Sequence, residues 1–274
     1  MITFSNIGYY GRFGNQLFQF ALAFSVAKKT GYDLILPYEN LINRRIQNAR
    51  DKSFDAYCNL LECFDINQNY FGNYKQPIKY IFNESQFHYD ENVFNVHDNT
   101  SFHGYFQSEK YFIHCREELL NELTIKSDIL NSAEKLLPKT DKQLVSIHVR
   151  RGDNAIPQIY HPCVGLEFIN PVIEEFFNTD EYHFCIISDD PNWCREIWKD
   201  KENFSVLEGD NQHVDFAILS LCDHHIISNS SFSWWSSYIS KNKDKKIIAP
   251  KNWFGIGYAH YNLDDLHNNK TIIR

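Results

Sequence analysis

Residues 144–153 read LVSIHVRRGD. Leu144 to Val149 make a short, nearly continuous apolar run, the pattern of a strand buried on both faces. Two arginines, a glycine and an aspartate follow with no spacer. A buried strand that ends abruptly in charge delivers a polar loop at its carboxyl edge. The same device occurs twice more. HFCIIS (183–188) runs into DDPN, and HHIIS (224–228) runs into NSSFS. Pro191 stands as a first helical residue behind a capping Asp190, and Ser230 or Ser231 starts a helix through Trp234 and Ile239. Strand, polar loop and helix in repeated succession predict a doubly wound α/β sheet, with ligands outside the carboxyl ends of its strands.

Toward the amino terminus, Ile2 to Ser5 reads as a strand. Leu17, Phe20, Ala21, Phe24 and Ala27 recur at helical spacing, and Gly31 is the stop. Leu34 to Leu36, before Pro37, reads as the next strand, so the chain opens with a βαβ unit. From about Asn43 to Gln107 the sequence is rich in Asn, Tyr and Phe with weak periodicity, which predicts irregular structure and loops. A helical run from Cys115 to Leu137 ends at Pro138 and the polar KTDK. These breaks divide the chain into an N-terminal lobe, 1–140, and a C-terminal lobe, 141–274.

A formal net charge of -8 over 274 residues argues against a nucleic-acid groove, which needs a basic surface. A small anion needs only a few local cations. The seven cysteines form no Cys-x-x-Cys pair. Cys185 and Cys222 lie within apolar runs and read as small core hydrophobes, in keeping with a reducing, intracellular setting. With 22 Phe and 16 Tyr, most rings are expected in the core and a minority on a surface that stacks sugars or bases. The opening MITFSNIGYY lacks the basic flank and apolar stretch of a signal peptide, and no run reaches the roughly 18 apolar residues of a membrane span. The expectation is a soluble cytoplasmic protein, with room for peripheral contact at the inner face of the membrane.

Three constellations carry chemistry. Arg150 and Arg151 stand side by side at a strand end, where an unpaired buried guanidinium costs several kcal/mol. Either one pairs with Asp153 while the other meets solvent, or one makes forked contacts to phosphate oxygens. Gly11-Arg12-Phe13-Gly14-Asn15-Gln16 leads into the first helix, where two glycines permit close approach and the helix start favours an anion. It lacks the third glycine of a dinucleotide fingerprint and the GK[ST] of a P-loop. Asp215 begins a further helix, either as a simple first-turn acid or as an acceptor for the paired N–H donors of guanine. Ser230 and Ser231 offer hydroxyl and backbone donors to phosphate, whereas Trp234 and Trp235 read as core. No Asp-x-Asp triplet for a divalent cation occurs anywhere.

Taken together these motifs resemble a known family. HVRRGD is similar to the His-x-Arg-Arg-x-Asp signature shared by α-1,2-, α-1,6- and protein O-fucosyltransferases. GRFGNQLFQFALAF, GYFQSEKYF (104–112) and SNSSFSWWSSYIS resemble the α-1,2 group, glycosyltransferase family 11. The likeness spans nearly the whole chain and is weakest over 43–99; the stretch from Lys251 onward matches only at its start. It implies an α/β fold of GT-B type, two Rossmann-like lobes facing a cleft, with the N-terminal lobe, 1–140, on the acceptor side and GDP-fucose held by the C-terminal lobe, 141–274. It implies inverting, metal-independent transfer of L-fucose from GDP-β-L-fucose to a sugar hydroxyl, expected to be the 2-OH of a galactoside in a surface glycan. By position, His148 and Asp215 would contact guanine and Arg150 the β-phosphate. Arg12, Asn15, Ser230, Ser231 and Phe232 would line diphosphate and fucose, with Gly14, Gln16, Arg151 and Asp189 completing the donor set. Asp153 is the candidate base, its alternative being an ion pair that holds the loop. No cofactor is implied; the partners are GDP-fucose and a galactose-containing oligosaccharide, with no nucleic acid. The rivals are a fucosyltransferase of other linkage and a non-catalytic sugar-binding protein, which would leave Arg150, Arg151 and Asp153 without purpose. An epimerase or dehydrogenase needs the full glycine fingerprint and a Tyr-x-x-x-Lys pair, which Tyr70, Tyr74 and Lys75 do not supply.

Overall fold

The computed structural model describes residues 1–9, 11–37, 59–151 and 159–274, and the backbone alone of 44–46 and 54–56. Two compact units emerge: Met1–Thr124 with Tyr261–Asn268, and Ile125–His260 with Asn269–Arg274. The division falls before the expected boundary at 140, and a C-terminal segment returns to the first unit.

In the first unit, β1 (Ile2–Thr3) is followed by α1 (Phe13–Thr30). Helix α1 is buried nearly all round, from Phe13 to Ala27, as a core helix with no solvent stripe must be. Gly31 ends it in the left-handed region, φ 76, returning its N–H to the Ala27 carbonyl. The expected strand at Leu34–Leu36 is reduced to two parallel bridges, Ile2 with Leu34 and Leu36 with Phe71. A two-stranded antiparallel ladder joins β2 (Arg44–Ile46) to β3 (Phe54–Ala56), and the short α2 (Leu60–Cys63) follows. The stretch expected to be irregular also holds β4 (Tyr80–Asn83) and β5 (Thr100–His103). These complete a parallel sheet in the order β1-β5-β4. Its rings pack edge to face: Phe106 lies 6.1 Å from Phe4, 5.9 Å from Phe102 and 5.7 Å from Tyr111.

The helical run expected over 115–137 is two helices, α3 (Arg116–Glu122) in the first unit and α4 (Ser127–Leu136) in the second. The β-branched Thr124 and Ile125 fall in the break, where the Thr124 carbonyl accepts from Asp65 N instead of continuing a helix.

After α4, the second unit alternates strand and helix as far as its fifth strand. Its elements are β6 (Gln143–Val149), α5 (Leu166–Phe176), β7 (Tyr182–Ser188), α6 (Pro191–Trp198), β8 (Phe204–Val206), α7 (Gln212–Leu221), β9 (His224–Ile226), α8 (Ser231–Ile239), β10 (Ile247–Ala249) and β11 (Thr271–Ile273). All six strands run parallel in the order β8-β7-β6-β9-β10-β11. Asp190 caps α6 ahead of Pro191, its carboxylate accepting from Trp193 N. Ser230 caps α8. Val145, Ile147 and Val149 join one hydrophobic cluster with Ile169, Val172 and Phe184. The alternate positions Ser146 and His148 are buried too, each bonded to a polar partner: Ser146 Oγ lies 2.8 Å from His225 Nδ1. Trp234 and Trp235 are core, as are Cys185 and Cys222.

Candidate active site

Strand β6 is the hinge of the second sheet. The chain leaves it outward through β7 and β8, then crosses back to lay β9, β10 and β11 on its other side. The order therefore reverses between β6 and β9, and in such sheets the crevice outside that reversal is where ligands bind. His148 to Arg151 and Ser228 to Ser231 stand there, at the carboxyl ends of the two strands.

His148 is 8% exposed and its Nδ1 lies 2.7 Å from Ser228 Oγ, a bridge from one strand end to the other. Burial pushes its pKa down to about 4, with the Arg150 charge adding and Asp189 opposing. The ring is thus neutral at physiological pH. It packs 5.5 Å from Phe232, which stands 5.3 Å from Phe216 of α7. Phe232 lies in the first turn of α8, and its N–H donates to the capping Ser230 hydroxyl. Ser231 is the first helical residue. A helix start aimed from a switch-point loop favours an anion.

The arginines pair with the DDPN loop. Arg150 Nε lies 3.3 Å from Asp189 Oδ2, both side chains part-buried. Arg151 donates its backbone N–H to Asp189 Oδ1 at 2.7 Å and its Nε to Asp190 Oδ2 at 3.2 Å, and its guanidinium sits 4.0 Å over the Trp193 ring. Ion pair and cation–π contact together hold Arg151 against that loop and the start of α6. Asp153, the expected partner or base, lies outside the described residues.

Asp215 belongs to the first turn of α7, which starts three residues earlier than its sequence position suggests, at Gln212. The cap is Asn211, whose Oδ1 accepts from His213 N and Val214 N, so Asp215 is not the capping acid. Its Oδ1 accepts from Gly209 N at 2.8 Å. Burial pushes its pKa up to about 6, the Gly209 bond opposing and Glu208 adding.

Arg12, Gly14, Asn15 and Gln16 belong to the first unit. Arg12 is exposed at the start of α1, and Gly14 is buried in its first turn. Asn15 Oδ1 accepts from Gln107 Nε2 at 2.8 Å, and Gln16 Oε1 from Asn59 N at 3.0 Å, so both side chains organise that unit's loops. Gly11 has φ 113, and a Cβ there would collide with the Asn15 side chain. Sequence reasoning missed Glu84, which follows β4. Its carboxylate accepts from Tyr105 N and Phe106 N at 2.7 and 2.8 Å, pinning a turn in which Phe106 has φ 51. Burial pushes its pKa up to about 7, against those two bonds. Among the described residues no group of three or more His, Cys, Asp or Glu could hold a metal.

The model of the family described as glycosyl transferase family 11 matches residues 3–258. The chain belongs to glycosyl transferase family 11. Relatives of this family-11 chain include an α-1,2-colitosyltransferase of Escherichia coli, 34% identical over 167 residues, 57% of each chain. A galactoside α-(1,2)-fucosyltransferase 1 of Ateles belzebuth is 28% identical over 153 residues, 50% of this chain and 42% of that one. The chain thus spans about half the length of the sequence relatives it matches. Among solved structures, the fucosyltransferase NodZ from Bradyrhizobium superposes with a TM-score of 0.53 at 14% identity, over 87% of this chain and 93% of that one. NodZ α-1,6-fucosyltransferase co-crystallized with GDP gives a TM-score of 0.54 at 14% identity, over 87% and 92%. The fold is of the GT-B type.

Proposed function

We propose that the family-11 chain transfers L-fucose from GDP-β-L-fucose, with inversion, to the 2-OH of a galactoside during surface-glycan synthesis. The observation that carries this reading is the switch-point arrangement: Arg150 at the end of β6, the α8 start beside it, and two groups suited to a guanine, neutral His148 and Asp215. The names of the family-11 relatives support it, as does the GDP co-crystallized with NodZ, which shares the fold.

As the glycosidic bond to fucose lengthens, positive charge grows on the sugar ring and negative charge on the departing diphosphate. Arg150, held through Nε by Asp189, and the N–H groups at the α8 start would meet that negative charge where it increases, lowering the barrier rather than only tightening binding. Arg151, clamped by Asp189, Asp190 and Trp193, fixes the loop from which Arg150 projects. Inversion requires the acceptor hydroxyl to lose its proton on the face opposite GDP, and Asp153 remains the candidate base. A second reading, that the transferred sugar is colitose, is favoured by the Escherichia coli relative.

The test is incubation with GDP-fucose and a panel of galactosides, with the linkage of any product read by NMR. An α-1,2-fucosylated galactoside is expected. Turnover only with the GDP derivative of colitose would move the assignment to the second reading, and no transfer from either donor would overturn both.

A further inference from the structure

Next to the switch point stands a cluster of rings that donor handling leaves unused. Asn229, between Ser228 and Ser230, donates its side-chain amide to the Pro162 carbonyl at 2.9 Å and the Trp253 carbonyl at 3.1 Å. It thereby ties two loops, 159–163 and 253–260, to the end of β9. The loops are stitched to each other by Gly255 N to Tyr160 O, 2.9 Å, and Gly257 N to Ile159 O, 2.8 Å. On that frame Tyr160 and Tyr258 lie 4.8 Å apart, Phe254 and Tyr258 5.3 Å, and His161 stands 5.6 Å from Phe254. The Tyr160 ring lies so close on Gly257 that a Cβ there would collide with it. All four rings are only part-buried, and they are flanked by Ile159, 60% exposed, and Ile256, 83% exposed. Rings that a core needs are enclosed, as Phe184 and Trp235 are. These are held in fixed positions yet left partly open to solvent.

We infer that this aromatic ledge, in the second unit rather than the N-terminal lobe expected on the acceptor side, is the platform on which the acceptor's sugar ring rests, an inference that stands on the glycosyltransferase reading above. Its chemistry suits a pyranose: ring faces take the apolar C–H side of a sugar, and the Tyr160 and Tyr258 hydroxyls with the His161 imidazole supply polar edges. Its place suits an acceptor, because the hydroxyl to be modified must reach the donor sugar, and Asn229 makes the ledge continuous with the donor loop. The exposed isoleucines could instead meet a lipid surface. Neither loop carries a Lys or Arg, however, and a net charge of -8 repels an anionic membrane.

Three variants, Tyr258→Ala, Tyr258→Phe and Ile256→Ser, are compared with wild type for galactoside KM, for GDP-fucose affinity by calorimetry, and for sedimentation with phosphatidylserine-containing vesicles. Tyr258→Ala is expected to raise the galactoside KM about tenfold, on the scale of one lost aromatic stack. Donor affinity should stay within about twofold and Tyr258→Phe should hold near wild type. Ile256→Ser, at a residue too exposed to unfold the chain, should raise the same KM about threefold and serves if Tyr258→Ala does not fold. An unchanged galactoside KM would overturn the inference. So would donor affinity falling by the same factor, or vesicle binding lost in Ile256→Ser without effect on the galactoside. If wild type binds no GDP-fucose, it is the proposed function that fails. Saturation-transfer NMR of methyl β-galactoside then tests the ledge alone: signal present in wild type and lost in Tyr258→Ala sustains it, and no signal in wild type overturns it.

Discussion

If Asp215 accepts the paired N–H donors of guanine, only its ionised form binds well, and its pKa becomes visible in donor affinity. Burial has pushed that pKa up to about 6. For a single group, the apparent Kd grows by a factor of one plus ten to the power of pKa minus pH. From pH 7.5 to pH 6 affinity should fall about twofold, and by pH 5 about elevenfold, close to 1.4 kcal/mol. His148 does not blur the profile, because with a pKa of about 4 its ring is already neutral across this range. The assay is calorimetric titration with GDP-fucose rather than GDP, since GDP carries a terminal phosphate that itself titrates near pH 6 and the sugar nucleotide does not. Asp215→Asn should bind weakly and with no slope. A wild-type profile flat between pH 7.5 and 5, or the same slope in Asp215→Asn, would refute the assignment of guanine recognition to this carboxylate.

Arg150→Ala should abolish transfer and Arg150→Lys should restore little, because a point charge does not reproduce a forked contact; wild-type rates in Arg150→Lys would refute it. Activity should survive EDTA, given that no Asp-x-Asp triplet occurs in the sequence, and a loss reversed by manganese would mean the diphosphate is handled by a metal. Asp153→Asn should cut kcat heavily while donor affinity and Tm stay near wild type; collapse of all three would make Asp153 a structural partner. Glu84 gives a stability signature. Its folded pKa of about 7 exceeds the unfolded value of 4.5, so the stability it contributes is complete below pH 4.5 and lost as pH rises through 7. Between pH 6.5 and 8 this group alone should lower Tm by about 2–4 °C, corresponding to about 1 kcal/mol, against the opposite trend of buried histidines such as His148 and His267, so it is read as the difference between wild type and Glu84→Gln. Thermal melts of Glu84→Gln should lack that fall.

The second unit was legible because its strands are buried on both faces and its helices carry their own caps, Asp190 before Pro191 and Ser230 before Ser231. The first sheet was not, for three separate reasons. Strand β4 shows Tyr80 and Ile81 to solvent, 48% and 57% exposed, so no apolar alternation marks it. Strand β5 buries Thr100 and Ser101, whose hydroxyls are satisfied by His97 O and Ser5, contacts that neighbouring sequence does not reveal. Strand β1 has two residues. The same limit applies to the candidate site. His148, Arg150 and Arg151 could be named from one stretch, but Ser228 and Trp193, which orient His148 and Arg151, come from a strand end and a helix far along the chain. Glu84 sits in a stretch with no period to mark it, and only the Tyr105 and Phe106 N–H groups show its use.

The return of residues 261–268 to the first unit sets the order in which the protein can be completed during synthesis. Leu266 is 1% exposed there, Tyr261 stacks 5.2 Å from Phe87, and Asp265 takes both the Tyr89 N–H and the Lys110 ammonium. These contacts cannot form until the whole of Ile125–His260 has left the ribosome, although most of the first unit emerged before it. The chain then goes back once more, and β11 is added to the second sheet last, beside β10. Cutting the chain at any single point between Met1 and Arg274 therefore leaves at least one unit short of a piece that the other fragment carries.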